Sequence, residues 1–274
     1  MDIGVTFYDN PTAVLNVAGE FLESQPVLHN LVFSLLHTRV THSEPGRYWV
    51  AAREGNVAGV VFQSPVTIAA VVTPMRPDVT VAAVEAIVSA GVLLPGVNGD
   101  AATAASFAGH WTERVKSSAV PFEGMRLYEL SEVRETASIE GRLRPAGTED
   151  RDLIVQWVRG FQAEVHDHGY DPEMVAARWL AGGQVWVWED GEPKSMAVSR
   201  EAVGGAVRIS GVYTPPEDRR RGYAEACVHA LSKKLQEMGH RCLLYTDLGN
   251  PTSNSIYRRI GYRAIAECLR YRFE

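Results

Sequence analysis

The sequence predicts a layered α/β protein of two tandem domains, each with a mixed, mostly antiparallel sheet flanked by helices. Each half contains a predicted β-hairpin, with two short alternating stretches around a glycine-containing turn, at 47–62 and at 185–199. Val-Val-Thr-Pro at 71–74 resembles Val-Tyr-Thr-Pro at 212–215, and a helical pattern follows each. Each half therefore predicts one copy of the same α/β unit.

A charged connector separates the two predicted copies. Residues 134–150 carry Gly141, Pro145 and Gly147 among charged side chains, a composition typical of a linker. We therefore predict one domain over residues 1–135 and a second over residues 136–274.

Two helices are predicted directly after the connector. Apolar residues recur at helical spacing between Leu153 and Phe161. Asp171 followed by Pro172 is typical of an N-cap and a first-turn proline, which predicts that a second helix begins there.

A strand, a short loop and a helix are predicted next. Side chains alternate over Val207–Tyr213 as in a strand, and Pro215 and Pro216 end it because proline cannot donate to a ladder. One apolar helical face then runs over Ala224–Met238, and Gly239 stands where a helix typically ends.

The junction between this loop and this helix predicts a phosphate site. It has the sequence Arg-Arg-Arg-Gly-Tyr-Ala at 219–224. The first N–H groups of a helix lack internal partners, and the helix dipole favours an anion there. Gly222 lets a ligand approach the backbone, Ala224 is small, and the arginines add positive charge. A pyrophosphate suits this combination; a solvated run of charges is the alternative interpretation.

A second pattern lies downstream. The apolar run Cys242–Tyr245 is typical of a buried strand. Asn250 follows it, Tyr257 comes seven residues later, and the pair Gly261-Tyr262 closes the segment. These positions predict a helix that begins after Asn250 and carries Tyr257.

The two patterns together resemble the motifs of the GCN5-related N-acetyltransferase (GNAT) superfamily. Arg219-x-x-Gly222-x-Ala224 matches its Q/R-x-x-G-x-G/A pattern, with Arg220 where another glycine is common. The resemblance implies an acetyl-CoA site between the strand ending near Thr214 and the strand ending near Thr246. The coenzyme-binding residues that it implies are Val212, Tyr213, Thr214, Arg219, Arg220, Arg221, Gly222, Tyr223, Ala224, Glu225, Asn250 and Asn254.

Acetyl transfer to an amine requires an uncharged amine and expels a thiolate. Tyr257 is the predicted acid, because a phenol of reference pKa about 10 stays protonated at neutral pH yet can donate to a thiolate of pKa about 8.5. Glu164 is the candidate base, directly or through a water, and His166 and His168 are further candidates. The alternatives are an interior aromatic for Tyr257 and ordinary surface roles for the other three.

The N-terminal copy lacks the phosphate site. Aligning the two Thr-Pro pairs places Asp78 at the position of Arg219 and Val81 at the position of Gly222. A carboxylate repels a diphosphate, and a β-branched side chain blocks close backbone approach. We therefore expect a degenerate acetyltransferase-like domain; that it binds a different ligand stays open.

Composition narrows the possible partners. The net charge of −6 and pI near 5.8 argue against nucleic acid or an anionic membrane as partner. Met1–Asn10 has no signal-peptide pattern and no apolar run reaches membrane-spanning length, so we expect a cytoplasmic protein. Three cysteines, Cys227, Cys242 and Cys268, show no metal-ligand spacing, and we expect no metal and no disulfide framework.

The expected function is acetyl-CoA-dependent N-acetyl transfer to a primary amine, by direct attack in a ternary complex. The expected acceptor is a small-molecule or peptide amine, and the expected assembly is a monomer or homodimer. A non-catalytic acyl-CoA-binding or regulatory module is the alternative.

Overall fold

The structure, a computed structural model, describes residues 2–165 and 170–274. Two short 3-10 helices, Thr148–Asp150 and Pro216–Asp218, accompany the main elements. In chain order, the strands and α-helices are β1 (Ile3–Tyr8), α1 (Pro11–Ser24), α2 (Asn30–Thr41), β2 (Arg47–Arg53), β3 (Asn56–Gln63), β4 (Ala70–Val72), α3 (Pro77–Ser89), β5 (Gly96–Asp100), α4 (Ala101–Val115), β6 (Ala119–Leu130), β7 (Arg142–Pro145), α5 (Arg151–Glu164), α6 (Pro172–Ala181), β8 (Val185–Asp190), β9 (Glu192–Ser199), β10 (Ala206–Tyr213), α7 (Tyr223–Glu237), β11 (Arg241–Asp247), α8 (Pro251–Ile260) and β12 (Tyr262–Phe273).

The chain forms two compact units that interleave along the sequence. Unit 1 comprises Met1–Leu127, Thr246–Asn250 and Ala264–Glu274, and unit 2 comprises Tyr128–Tyr245 and Pro251–Arg263. The predicted division after residue 135 concerns the two repeats, and it stays a prediction. No spacing in the sequence indicates that a C-terminal strand belongs with the N-terminal half.

Unit 1 contains the strand order β1-β2-β3-β4-β5-β12. β4 and β5 are parallel, and the other neighbouring pairs are antiparallel. The predicted β2–β3 hairpin is present, and its turn residues Glu54 and Gly55 both have positive φ, as a two-residue hairpin turn requires. Large apolar side chains, among them Trp49, Phe107 and Trp111, form the core that α3 and α4 share with the sheet of unit 1.

Unit 2 contains the strand order β11-β10-β9-β8-β7, in which only β10 and β11 are parallel. α7 covers one face, where Val207 and Ile209 of β10 join its apolar side chains. α5 and α6 cover the other face, where Trp179 packs with Val198 and Tyr213. These mixed, mostly antiparallel sheets flanked by helices confirm the predicted fold class.

The connector contains a strand that its composition does not indicate. Arg142–Pro145 pairs with β8 as β7, at the end of the strand order. Proline and charged residues are tolerated there because an edge strand has one unpaired side. Arg142 and Arg144 both bond the carboxylate of Glu189 on the neighbouring strand, at 2.9 and 2.8 Å.

In the described part of the chain, no helix has the length and apolar character needed to cross a membrane.

Candidate active site

β10 and β11 diverge in the second half of β10. Their parallel pairing runs from Ala206↔Arg241 to Ile209↔Leu244 and ends there in the described chain, while β10 continues to Tyr213. Gly211 has φ +57°, and the register with β9 shifts at this point, which marks a bulge. The strands therefore separate where the sequence predicts the thioester site.

The end of β10 is held in place by hydrogen bonds. The backbone oxygen of Tyr213 accepts from Ser195 Oγ at 3.1 Å, and Thr214 Oγ1 donates to the same hydroxyl at 2.9 Å. The backbone oxygen of Thr214 accepts from Arg219 Nε at 2.9 Å. These bonds fix the backbone of Val212–Thr214, and a fixed backbone is what a donor aimed at a developing oxyanion needs.

α7 begins without a side-chain cap. Gly222 occupies the N-cap position with φ +87°, and a glycine has no side chain with which to cap the first N–H groups of the helix. Glu225 lies in this first turn, and Arg219, Arg220 and Arg221 precede it. The helix start therefore offers backbone donors to an anion.

Gly222 has a packing role that the sequence motif does not reveal. A Cβ at this position would collide with the Cδ1 atom of Ile139, a residue of the connector. The predicted space for a ligand beside Gly222 is thus filled by Ile139, on the side where a Cβ would point. Glycine is favoured here by its positive φ, and a Cβ would also require the end of the Ile139 side chain to move.

Arg219 and Glu164, predicted to have separate roles, bind each other. The Arg219 guanidinium donates to Glu164 Oε1 and lies over the ring of Tyr213, with Cζ 5.8 Å from the centroid. Both side chains are partly exposed, at 40 and 49%. In this arrangement Glu164 has an ion-pair partner, and Arg219 is already bonded to a carboxylate.

Two further predicted coenzyme residues use their side chains within the protein. The Tyr223 hydroxyl donates to Asp190 Oδ2 at 2.8 Å, and this bond together with burial raises the pKa of Tyr223. Glu225 accepts two hydrogen bonds from Arg259 of α8, at 3.0 and 2.5 Å. At the predicted phosphate site, these two residues would therefore contribute through their backbone N–H groups.

Tyr257 lies in the buried core of unit 2, against which the partly buried Val212 also packs. Its ring centroid is 6.4 Å from that of Tyr128 and 6.1 Å from that of Tyr262, and burial raises the pKa of Tyr257 to about 12. Asn254 is buried beside it and accepts a 2.9 Å hydrogen bond from the Tyr128 hydroxyl. Tyr128 belongs to no sequence motif and lies 126 residues from Asn254, so the sequence does not indicate this contact.

The remaining candidates belong to the other unit or lie outside the described residues. Asn250 belongs to unit 1, is exposed, and donates its backbone N–H to the Asp247 oxygen at 3.1 Å just before α8. His166 and His168 lie outside the described residues.

The cysteines are not activated nucleophiles. Burial raises the pKa of Cys227 and Cys242 to about 12 and that of Cys268 to about 11. Over residues 2–165 and 170–274, no group of three His, Cys, Asp or Glu side chains is arranged to hold a metal ion.

The C-terminal segment matches a family model, and nearly the whole chain superposes on solved structures. Residues 189–271 match the family model described as FR47-like protein, whereas no curated protein matches the chain. A GNAT-family acetyltransferase from Colwellia psychrerythraea superposes with a TM-score of 0.61 at 10% identity, covering 99% of this chain and all of the other. A Drosophila protein gives 0.65 at 14% identity, covering 98 and 99%.

A two-domain relative decides the architecture. The tandem GNAT protein from the clavulanic acid biosynthesis pathway superposes with a TM-score of 0.56 at 10% identity, covering 98% of each chain. The chain has the tandem GNAT fold. The resemblance seen in the motifs is confirmed at the level of the fold.

In the first copy of the GNAT fold, β4 and β5 correspond to β10 and β11, and they remain in contact. A Cβ on Gly99 of β5 would collide with the side chain of Val72 of β4, so these two strands are in close contact. Residues 73–76 link β4 to α3, whereas the longer loop 214–222 links β10 to α7. The first copy thus lacks both the gap and the loop length found in the second.

This shorter loop corrects the predicted alignment of the two copies. Val81, matched to Gly222, lies inside α3, and Arg76 precedes that helix instead. Asp78 lies in the first turn of α3, 3.3 Å from Arg53 Nε and 3.4 Å from Arg76 Nε. The loss of the phosphate site in this copy stays an expectation, and the short loop is a further physical reason for it.

Proposed function

We propose that the protein is an acetyl-CoA-dependent N-acetyltransferase, an acyltransferase acting on a primary amine through a ternary complex. The observation that carries this proposal is the divergence of β10 from β11 at the Gly211 bulge, followed directly by a loop of three arginines and the uncapped start of α7. A gap between strands suits a linear arm, and the helix start suits a pyrophosphate.

The chain's own groups would hold the coenzyme as follows. The N–H groups of Tyr223–Glu225 bind the pyrophosphate, and the exposed Arg220 and Arg221 add charge. The backbone of Val212–Thr214 orients the pantetheine arm. Acetyl-CoA, when bound, supplies the activated acetyl group, and holding both reactants in place provides much of the rate.

Tyr257 acts chiefly as a hydrogen-bond donor to the leaving sulfur. Its pKa of about 12 exceeds a thiol pKa of about 8.5, so complete proton transfer is uphill by roughly 5 kcal/mol. Donation without complete transfer still stabilises the developing thiolate. Solvent then supplies the proton after release.

Glu164 becomes available as a base when Arg219 turns to the coenzyme. The two side chains are paired in the structure. A pyrophosphate that competes for Arg219 releases the carboxylate of Glu164, which then accepts the amine proton directly or through a water. Coenzyme binding and proton removal are thereby linked.

The test is thiol release from acetyl-CoA in the presence of primary amines. Tyr257→Phe should lower kcat roughly 100-fold, near the lower end of acid–base contributions, and leave coenzyme affinity nearly unchanged. Tyr262→Phe is the matched control, because that buried hydroxyl is bonded to Ser232 at 2.8 Å and has no proposed contact with the coenzyme. Full activity in Tyr257→Phe would remove the donor role.

Calorimetry separates the enzyme from a non-catalytic acyl-CoA-binding module. We expect one coenzyme bound per chain, because the first copy lacks the gap and the loop. Binding at this stoichiometry without thiol release for any amine would favour the binding module. Absence of binding would overturn both.

A further inference from the structure

Three arginines cluster on the face of unit 2 opposite α7: Arg178, Arg200 and Arg208, here named the arginine cluster. Val207 and Ile209 face α7, so Arg208 faces the α5/α6 side because strand side chains alternate. Arg200 follows β9 directly opposite Arg208, and its N–H donates to the Arg208 oxygen at 2.9 Å. Arg178 belongs to α6, which covers this face.

The cluster adjoins the bulge of β10. Arg200 Nε donates to Ser210 Oγ at 3.0 Å, and the guanidinium lies 4.8 Å above the ring centroid of Trp179. A Cβ on Gly211 would lie 3.2 Å from the same indole ring. An unbroken set of contacts therefore connects Arg200 to the residue that precedes Val212.

No carboxylate of residues 2–165 or 170–274 forms an ion pair with the arginine cluster. Burial, followed by the charges of Arg208 and Arg178, lowers the pKa of Arg200, and burial lowers that of Arg208. Arg144 of the same unit shows the usual arrangement, with Asp150 at 2.7 Å and Glu189 at 2.8 Å. Like charges in a partly buried place without a counter-ion destabilise a fold.

A further donor there lacks an acceptor. Trp179 is 4% exposed, and its buried indole N–H has no hydrogen-bond partner in the described chain. An indole N–H can only donate, as can a guanidinium. The surroundings of the arginine cluster therefore supply donors and positive charge in excess, and an anionic acceptor of hydrogen bonds would satisfy them.

We propose that Arg200 and Arg208, assisted by Arg178 and the Trp179 N–H, bind a carboxylate of the amine acceptor. This proposal rests on the proposed acetyl transfer and names its substrate class: primary amines with a carboxylate at the far end of a spacer. At about 3.3 Å per residue, Ser210 and Arg208 lie about 7 and 13 Å along β10 from Val212. A spacer of several methylene groups fits this range.

The placement gives each ligand its own face of the sheet. The coenzyme phosphate site is at the start of α7, and the arginine cluster is on the α5/α6 side. An acceptor held on one side thus presents its amine to a thioester held from the other.

The experiment compares ω-amino acids with alkylamines of equal carbon number. β-Alanine, 4-aminobutyrate and 6-aminohexanoate are set against propylamine, butylamine and hexylamine in the thiol-release assay. We expect the best amino acid to exceed its alkylamine in kcat/KM by about 10- to 100-fold, the range of hydrogen bonds to charged groups. The preference should grow from the shortest spacer to a longer one.

Arg208→Gln should abolish this preference by lowering kcat/KM for the amino acids. Arg200→Gln is the second variant, and the exposed Arg263→Gln is the matched charge control, which should retain the preference. Arg208→Gln should also raise Tm without ligand, because it removes repulsion between like charges. A preference that survives both variants, or equal turnover of the two series, overturns the proposal.

Two outcomes separate this inference from the parent function. If no amine releases thiol, calorimetry with coenzyme A present compares the binding of 6-aminohexanoate with that of hexylamine. Tighter binding of 6-aminohexanoate that Arg208→Gln abolishes supports the carboxylate site. Equal binding of the two amines overturns the carboxylate site. If free acetate or sulfate alters alkylamine turnover while the amino acids gain nothing, the site is an effector site and the acceptor assignment is wrong.

Discussion

Arg220 adopts a left-handed backbone conformation, with φ +60°, in the loop before α7. A side chain in this region costs about 1–2 kcal/mol relative to right-handed geometry, and glycine avoids this cost. The superfamily resemblance places a glycine at this position in many relatives. The protein therefore carries local strain in exchange for a third arginine beside the predicted phosphate site.

Replacing Arg220 by glycine should stabilise the folded protein. We expect Arg220→Gly to raise the free energy of unfolding by about 0.5–1 kcal/mol, after the greater chain entropy of glycine is subtracted. Denaturant unfolding measures the change. Arg221→Gly is the control, because Arg221 has no positive φ and the same change there should be destabilising. Equal losses in the two variants would contradict the strain.

At the residue scale, motifs indicated a candidate site but not the partners of its side chains. The spacing around Gly222 and Tyr257 predicted the helices that begin at or carry these residues, because such positions are fixed within short segments. The contacts Tyr128–Asn254 and Ile139–Gly222 join distant segments, and neither has a sequence signal. Likewise, nothing in the local pattern indicates that Arg219 is paired with Glu164.

The ion pair between Arg219 and Glu164 links the end of α5 to the loop before α7. We expect Glu164→Gln to tighten coenzyme A binding several-fold, because Arg219 no longer exchanges one anion for another. Stability should change by less than about 1 kcal/mol, since the pair is exposed. Calorimetry with coenzyme A measures the affinity, with Glu173→Gln as the control on an exposed helix position. Unchanged affinity would show that Arg219 does not contact the coenzyme.

Asp150 stabilises the junction of β7 and α5. Its carboxylate accepts from Arg144 at 2.7 and 2.9 Å and from the Gly147 N–H at 2.8 Å, and these bonds, Arg144 first, lower its pKa. Because the folded pKa is below the unfolded value, the contribution is complete above about pH 4 and is lost as pH falls through the folded pKa.

Asp150→Asn should therefore destabilise the protein at neutral pH and progressively less in acid. We expect a loss of about 1.5–3 kcal/mol at pH 7, the range for hydrogen bonds to charged groups, and a shrinking difference from wild type below about pH 4. Thermal unfolding across pH measures both. Asp152→Asn is the control, since that side chain is 99% exposed. A difference that stays constant into acid would contradict the assignment.

Elements with a strong period or a defined cap were predictable. The helix after Asp171-Pro172 exists as α6, and Asp171 Oδ1 accepts from the Glu173 N–H at 3.1 Å. β7 was not predictable, because four residues that include two arginines and a proline are too few to establish a strand period. Its pairing depends on Glu189, which lies far away in sequence.

At the scale of the whole molecule, the last strand serves the first unit. β12 pairs with β5 from Cys268↔Asp100 to Arg272↔Gly96, and the ring of Phe273 stacks on that of Trp111 at 5.2 Å. Composition and repeats predicted two copies of one fold, since each carries its own hairpin and Thr-Pro strand end. Composition and repeats did not predict that β12 pairs with β5, because pairing between strands that are distant in sequence leaves no local pattern.

Deleting Ala264–Glu274 should damage unit 1 more than unit 2. We expect the amides of β5 to lose hydrogen-exchange protection, while those of β8 and β9 keep theirs. Phe273→Ala, which removes only the stacked ring, should weaken β5 to a smaller degree. Protection lost first in β8 and β9 would contradict this division of the chain.

The return of the chain to unit 1 also determines the order of events during synthesis. On the ribosome, the N-terminal segment emerges long before residues 264–274 that complete its sheet. Until they arrive, one side of β5 has unpaired backbone groups, and such an edge is prone to associate with other chains. A nascent polypeptide stalled after unit 2 would thus need a chaperone over β5, although most of its residues were already translated.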